Sequence, residues 1–458
     1  MIQSAVEYAH VQHDRFLEDF FALLRIPSIS TDSAYVDGIH AAGDWLIAEM
    51  TRIGFDNAQA LATDGHPIIY GDWLHAGDDK PTVLVYAHYD VQPVEPVSRW
   101  ATDPFEPTII DGKIYARGAM DDKCGCIVSL KTFEAMLATA GTLPLNVKIF
   151  FEGEEESGSP GMEAALDRYR ELLSADLLVI SDGGPAPDQP YIISSVRGII
   201  DGQVTVTSCD HDLHSGKFGG VVHNPTHKVA EIIAAMHDRD GRILIPGFYE
   251  GVVGASSAEK ASFAQIEDDF KAFQQRFSGA KAFWGDPRYS HIERVASQPT
   301  CDVNGIWGGY QGKGLMTIIP AKAGFKVSMR MVANQDPQVI SEKFVAFINS
   351  FNCDTVEIEV EMFSASHAAK MLDVGPVVDA LQAAYGAVWG QSAVILGMGG
   401  SVPITGMFAR QLGMPITMFG FGVGDGQHAP NEYLFLEHFG RGIDTAIHFY
   451  YQLADKLS

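Results

Sequence analysis

The sequence predicts an α/β protein: a mainly parallel sheet with helices on both faces, carrying an inserted α+β domain built on an antiparallel sheet. Three observations lead there. Short apolar runs, VLVYAH (83–88), LNVKIFF (145–151) and ADLLVIS (175–181), alternate with helical patterns, and near-continuous Val/Ile/Leu runs of this length mark strands buried on both faces. Between residues 196 and 370 the strands change character and alternate apolar with polar residues, the pattern of a sheet with one wet face. The length of 458 residues exceeds what one ordinary core fills and calls for two or three domains.

The elements follow in order. The first 30 residues place apolar side chains at helical spacing with acidic residues early, which fits neither a secretion signal nor a membrane span. A helix is expected over His40–Arg52, with Trp45, Leu46 and Met50 on its apolar face and a stop at Gly54. Another follows DDKCGC, with Ile127, Val128 and Leu130. In the insertion, DGQVTVTS, GFKVSMRMV and TVEIEVEMF read as strands, covered by helices over 224–238 and 337–351. The helix DVGPVVDALQAAYGAVW and the strand-like PITMFGFG then return to the first style. The expected division is a domain of residues 1–195 and 371–458, interrupted by a domain of residues 196–370.

Composition excludes several function classes. With 32 basic against 58 acidic residues the net charge is -26, which disfavours nucleic acid and anionic membranes as partners. No stretch reaches the roughly 18 apolar residues of a membrane helix. The five cysteines (Cys124, Cys126, Cys209, Cys301, Cys353) are odd in number and scattered, as in a protein of the reducing cytoplasm, and Cys124 and Cys126 read as small residues of a helix core.

The chemistry lies where the strands end. In HYD, His88 and Asp90 share one face, so the carboxylate can orient the imidazole. Asp121 and Asp122 occupy a glycine-flanked turn before a helix, where they either complement the helix dipole or present Asp121 to the strand ends. In FFEGEEESGSP, Glu152, Glu154, Glu155 and Glu156 fall within five residues. Two carboxylates about 4 Å apart repel by roughly 4 kcal/mol at an effective dielectric near 20, so these acids either face water or are held by positive charge. Asp182 and His428 close the series. His88, Asp121, Glu156, Asp182 and His428 together suit two zinc-like ions sharing one aspartate. GMGGSVPI (397–404) is either a tight turn or a backbone cradle for an anion.

As a set, HYD, ARGAMDDK, EGEEESGS, SDGG, DLHSGKFGG, IPAKAGFKVSMRMVANQDP, GGSVPI and GQHAPNE, spread over residues 86–432, resemble the motif series of the carnosinase and cytosolic nonspecific dipeptidase branch of the dinuclear zinc peptidases. The same family holds aminoacylases, acetylornithine deacetylases and succinyl-diaminopimelate desuccinylases. The resemblance implies a metallopeptidase of dipeptidase or carboxypeptidase type with two divalent ions, zinc or alternatively manganese or cobalt. It makes Asp121 the bridging ligand, His88 and Asp182 ligands of one ion, and Glu156 and His428 ligands of the other. It makes Glu155 the general base acting on a water between the ions, with Asp90 supporting His88. His214 would reach across a homodimer interface into the partner's site, and Arg330, Gly400 and Ser401 would hold the substrate carboxylate. Glu154 is expected in solvent. Cys124 stands where the family has glycine and puts a side chain behind the Asp121 turn.

The implied reaction is cleavage of the amide bond of dipeptides or short peptides with a free C-terminal carboxylate. The alternative on the same metal core is an N-acyl amino acid deacylase. From a different class, GFGVGDG (420–426) has the glycines of a dinucleotide loop, but no G-x-G-x-x-G opens a helix after the first strand and the acidic series has no role in such a fold.

Overall fold

The computed structural model describes residues 1–372, 374–400 and 402–457. The apolar runs form a six-stranded sheet: β1 (Asp56–Leu61), β2 (Ile68–Trp73), β3 (Thr82–His88), β4 (Asn146–Glu152), β5 (Leu177–Ile180) and β6 (Ile416–Met418). Their spatial order is β1-β2-β4-β3-β5-β6. The strands β4, β3, β5 and β6 run parallel, while β2 is antiparallel to β4 and to β1. The sheet is thus mainly parallel with an antiparallel edge, because the short link between β1 and β2 reverses the chain where a crossover would be needed to keep its direction.

Helices α1 (Val36–Ile53), α2 (Lys123–Ala140), α3 (Pro376–Trp389) and α4 (Leu436–Leu457) pack in the same core, where Leu46, Val85, Ile127, Phe133, Ile149 and Tyr450 are buried. The first of them stops at Gly54, whose φ of 97° supplies the left-handed cap that closes a helix C-terminus. Every residue of α2 from Lys123 to Met136 is buried, so its charged residues must find partners inside. Lys131 does so with Asp19 at 2.6 Å and with Glu49, and Glu134 with Arg52 at 2.5 Å and with Arg15.

The chain divides into two compact units, one of residues 1–194, 371–395 and 408–458, the other of residues 195–370 and 396–407. In the second unit, the strands Gly198–Thr207, Thr300–Gly308, Lys322–Met331 and Glu357–Ser366 form an antiparallel sheet with Glu357–Ser366 at one edge. Residues 198–207 alternate buried and half-buried along their whole length, which gives the sheet one dry face. On that face Ile200, Val204, Phe325, Val327 and Met329 pack with Ile232 and Met236 of helix Pro225–Met236 and with Ile340 and Phe344 of helix Pro337–Asn349. Among the described residues no helix is long and apolar enough to cross a membrane.

The glycines of GFGVGDG open no helix. Gly424–Asp425 instead joins a small antiparallel sheet through Tyr433–Phe435, which removes the structural basis of a dinucleotide loop.

Candidate metal centre

The C-terminal ends of the parallel strands gather the acidic and histidine residues. His88 is the last residue of β3, stands opposite Glu152 at the end of β4, and is 1% exposed. Its Nδ1 lies 3.2 Å from the carbonyl oxygen of Asp90 and 3.3 Å from its carboxylate, and its Nε2 lies 3.1 Å from Asp121 Oδ1. The two carboxylate oxygens of Asp90 also accept the backbone N–H groups of Glu155 and Glu156 at 3.2 and 3.0 Å. One buried carboxylate therefore sets both the ring of His88 and the start of the glutamate turn.

The other oxygen of Asp121 faces a different group. Asp121 Oδ2 is 3.2 Å from His428 Nε2, and that nitrogen is 3.3 Å from Glu156 Oε2. Gln92 donates from Nε2 to the same Glu156 oxygen at 2.7 Å. His428 has φ 57°, a left-handed conformation uncommon outside glycine that is found where a loop is held for function. Asp182 follows β5 and completes the arrangement. His88, Asp121 and Asp182 form one group of ligand atoms and Asp121, Glu156 and His428 another, each within 4.8 Å.

Charge crowding is severe. Burial raises the Glu155 carboxyl to about 8, with Asp182, Glu152 and Glu156 adding to the rise and His88 opposing it. Burial likewise raises Glu156, with Asp121 adding, and Asp182, again with Asp121 adding. Asp121 moves the other way, because hydrogen bonds from His428 and His88 outweigh its burial. A site that buries several acids beside two imidazoles is electrostatically suited to cations.

The donor set fits that reading. Zinc bonds of 2.0–2.1 Å in a tetrahedron put neighbouring donors about 3.3 Å apart, and the His88–Asp121, His428–Asp121 and His428–Glu156 separations are 3.1, 3.2 and 3.3 Å. Each group offers one imidazole and two carboxylates, and Asp121 gives one oxygen to each histidine. His88 is further oriented through its second ring nitrogen, the arrangement that fixes the tautomer of a metal-binding histidine.

Glu154, expected in solvent, is instead 3% exposed. Its carboxylate accepts the N–H groups of His66 and Gly161 at 2.9 and 2.8 Å, satisfying two loop amides that burial would otherwise orphan. Glu152 is fully buried and accepts from Tyr86 Oη at 2.6 Å. Cys124 packs against the turn itself, its thiol donating to the Met120 carbonyl at 3.1 Å. It is the next position that must stay small, because a Cβ on Gly125 would run into the Ser181 carbonyl and the Asp122 carboxylate.

In the second unit His214 is exposed, and its Nδ1 accepts the Gly216 N–H at 3.0 Å. Arg330 lies in strand Lys322–Met331, where its like charge adds to burial in lowering Arg197 to about 10. Arg197 in turn donates to the carbonyls of Gly399 at 2.6 Å and, through its backbone N–H, Gly400 at 3.1 Å. Ser401 lies outside the described residues. Gln92, Arg197 and Glu432 are not singled out by sequence reasoning. None carries a metal-ligand signature, and only Glu432, inside GQHAPNE, stands in a motif.

Comparison with known proteins agrees with this geometry. Peptidase family M20/M25/M40 is matched over residues 84–452. The Cys-Gly metallodipeptidase dug1 of Schizosaccharomyces pombe is 30% identical over 463 residues, covering 96% of each chain. The Beta-Ala-His dipeptidase of Mus musculus is 29% identical over 405 residues, 86% of this chain and 81% of that one. Among solved structures, the M20 family metallo-carboxypeptidase Sso-CP2 of Sulfolobus solfataricus superimposes with TM-score 0.82 at 29% identity, covering 96% of this chain and 99% of that one. Human carnosine dipeptidase 1 superimposes with TM-score 0.78 at 25% identity, covering 99% of each. Two ligand groups sharing one aspartate at the ends of a parallel sheet, together with a family match over most of its length, show that this chain belongs to peptidase family M20/M25/M40.

Proposed function

We propose that this chain is a metal-dependent dipeptidase that hydrolyses the amide bond of dipeptides or related short peptides ending in a free carboxylate. The observation that carries the reading is Asp121, whose two oxygens are divided between His88 and His428. The relatives support the substrate class, since Cys-Gly and Beta-Ala-His are both dipeptides.

His88, Asp121 and Asp182 would hold one divalent ion and Asp121, Glu156 and His428 the other, with zinc favoured by the mixed imidazole and carboxylate donors. When bound, such a pair makes water acidic enough to attack near neutral pH and polarises the scissile carbonyl. Glu155, its backbone fixed by Asp90, accepts the proton of the attacking water and delivers it to the leaving amine. His214 takes the Gly216 N–H at Nδ1, so its neutral ring carries the proton on Nε2 and can donate to the tetrahedral oxyanion. Arg330 and the Gly400 backbone, steadied by Arg197, bind the substrate carboxylate.

The assembly is a homodimer in which His214 serves the partner's site. Supporting this, Phe218, Val221, Leu315 and Met316 near His214 in the second unit are exposed apolar side chains, and Phe363 is exposed on the edge strand Glu357–Ser366. All five cysteines are free, which supports a cytoplasmic location.

The test is a hydrolysis panel of dipeptides against N-acetyl amino acids, run on chelator-stripped and metal-reconstituted protein. Dipeptides should be cleaved, with activity lost on stripping and restored by zinc, manganese or cobalt. A strong preference for acetylated substrates would move the chain to the deacylases, and full activity without metal would overturn the mechanism.

A further inference from the structure

Glu432 is fully buried, carries no ligand atom of either group, and is hydrogen-bonded through both of its carboxylate oxygens. Its Oε2 accepts Arg117 Nη1 at 2.6 Å and the Gly118 N–H at 3.1 Å, while its Oε1 accepts the N–H groups of Met120 and Asp121 at 2.8 and 3.1 Å. Those amides belong to the turn that presents Asp121. Gly118 can enter that turn only without a side chain, since its φ is 81° and a Cβ would stand 2.6 Å from Val91 Cγ1.

Glu432 also lies four residues beyond His428, on the same loop. Its neighbour Asn431 ties that loop down on another side, accepting the Ala101 N–H at 2.7 Å and donating to the Arg99 carbonyl at 3.0 Å. Arg117 is itself 2% exposed and donates to the Pro93 carbonyl at 3.0 Å, so the guanidinium is a fixed point and not a surface charge.

We infer that Glu432 is a positioning residue that locks the Asp121 turn to the His428 loop, so that the carboxylate shared by the two groups and the histidine of one of them are set by a single buried clamp. The inference rests on the proposed metal centre. Deleting the clamp leaves every ligand in place but releases three backbone amides at once, so it acts on where Asp121 points and not on whether it is present.

The test compares wild type with E432Q and R117M. In the metal-stripped proteins, exchange of the Met120 and Asp121 amides, which lose their acceptor in E432Q when the remaining side-chain oxygen stays with Arg117 and Gly118, should quicken by roughly tenfold, and less in R117M. Metal dissociation constants, read by competition with a chromophoric chelator, should weaken by about 10- to 100-fold in E432Q. At saturating metal kcat should fall with KM unchanged, and the visible spectrum of the cobalt-loaded protein should shift. Should E432Q fail to fold, R117M carries the same readouts. Wild-type metal affinity and cobalt spectrum in the folded variants would overturn the inference, even if their melting temperatures fall. A wild-type chain that takes up no metal would instead sink the proposed function.

Discussion

Within FFEGEEESGSP, four acids in five residues have four different surroundings. Glu152 is bonded to Tyr86, Glu154 caps two loop amides, Glu155 is held by its backbone with its carboxyl raised by burial, and Glu156 faces His428 and Gln92. Among the residues gathered here, His88 ends an apolar strand, Asp182 follows one and Asp121 precedes a helix, positions that chain patterning marks, while Glu156 and His428 stand in turns that only the motif series singles out. Glu154 is misread from the sequence for the opposite reason. Its partners are backbone N–H groups of His66 and Gly161, and no residue type announces a buried amide in need of an acceptor. If Glu155 moves the proton, E155Q should lower kcat by about 10²- to 10⁴-fold while KM and metal content stay close to wild type, as measured by steady-state kinetics and elemental analysis.

At the scale of elements, α2 shows what a fully buried helix demands. Lys131 and Glu134 face Asp19, Glu49, Arg15 and Arg52, which arrive from the helix His13–Leu24 and from α1. Burial works to raise both Glu49 and Glu134, but hydrogen bonds and charges from Arg52, Lys131 and Arg15 win, and both carboxyls sit below the ordinary value. Groups with depressed folded-state values stabilise above the unfolded carboxylate pKa of about 4.3 and lose that stabilisation as pH falls through the folded values. E134Q, which leaves Lys131 without one counterion, should therefore cost about 3 kcal/mol in urea unfolding at pH 7 and much less near pH 3. The helix itself is evident in the sequence from Ile127, Val128 and Leu130, but its ion network is not, since the partners lie about 80 to 120 residues away along the chain.

For the whole molecule, the change from continuous to alternating apolar strands does identify two kinds of sheet, because strand pattern reports how many faces are buried. The antiparallel edge of β1 and β2 is not legible in the same way. Gln59 and Asn57 make β1 largely polar and exposed, so it lacks the apolar run that marks its neighbours. The proposed dimer makes a prediction at this scale. E155Q and H214A chains, each nearly inactive alone, should regain about a quarter of wild-type activity when mixed and allowed to exchange subunits, because half the dimers then hold one intact site. Mixtures no more active than their parts would place His214 in its own chain's chemistry or outside it.

A carboxylate divided between two histidines also makes metal uptake a linked process. If the two groups hold ions as proposed, Asp121 would serve both, so that filling one group would neutralise part of the charge felt at the other and would also steady the turn that presents Asp121. By reciprocity each ion alters the affinity for the other by the same factor. If hydrolysis needs both, activity in a titration with limiting free metal should start with a lag and rise more steeply than metal content, and a half-loaded preparation should hold well under half the activity. Shared ligation would thereby turn free metal concentration into a threshold.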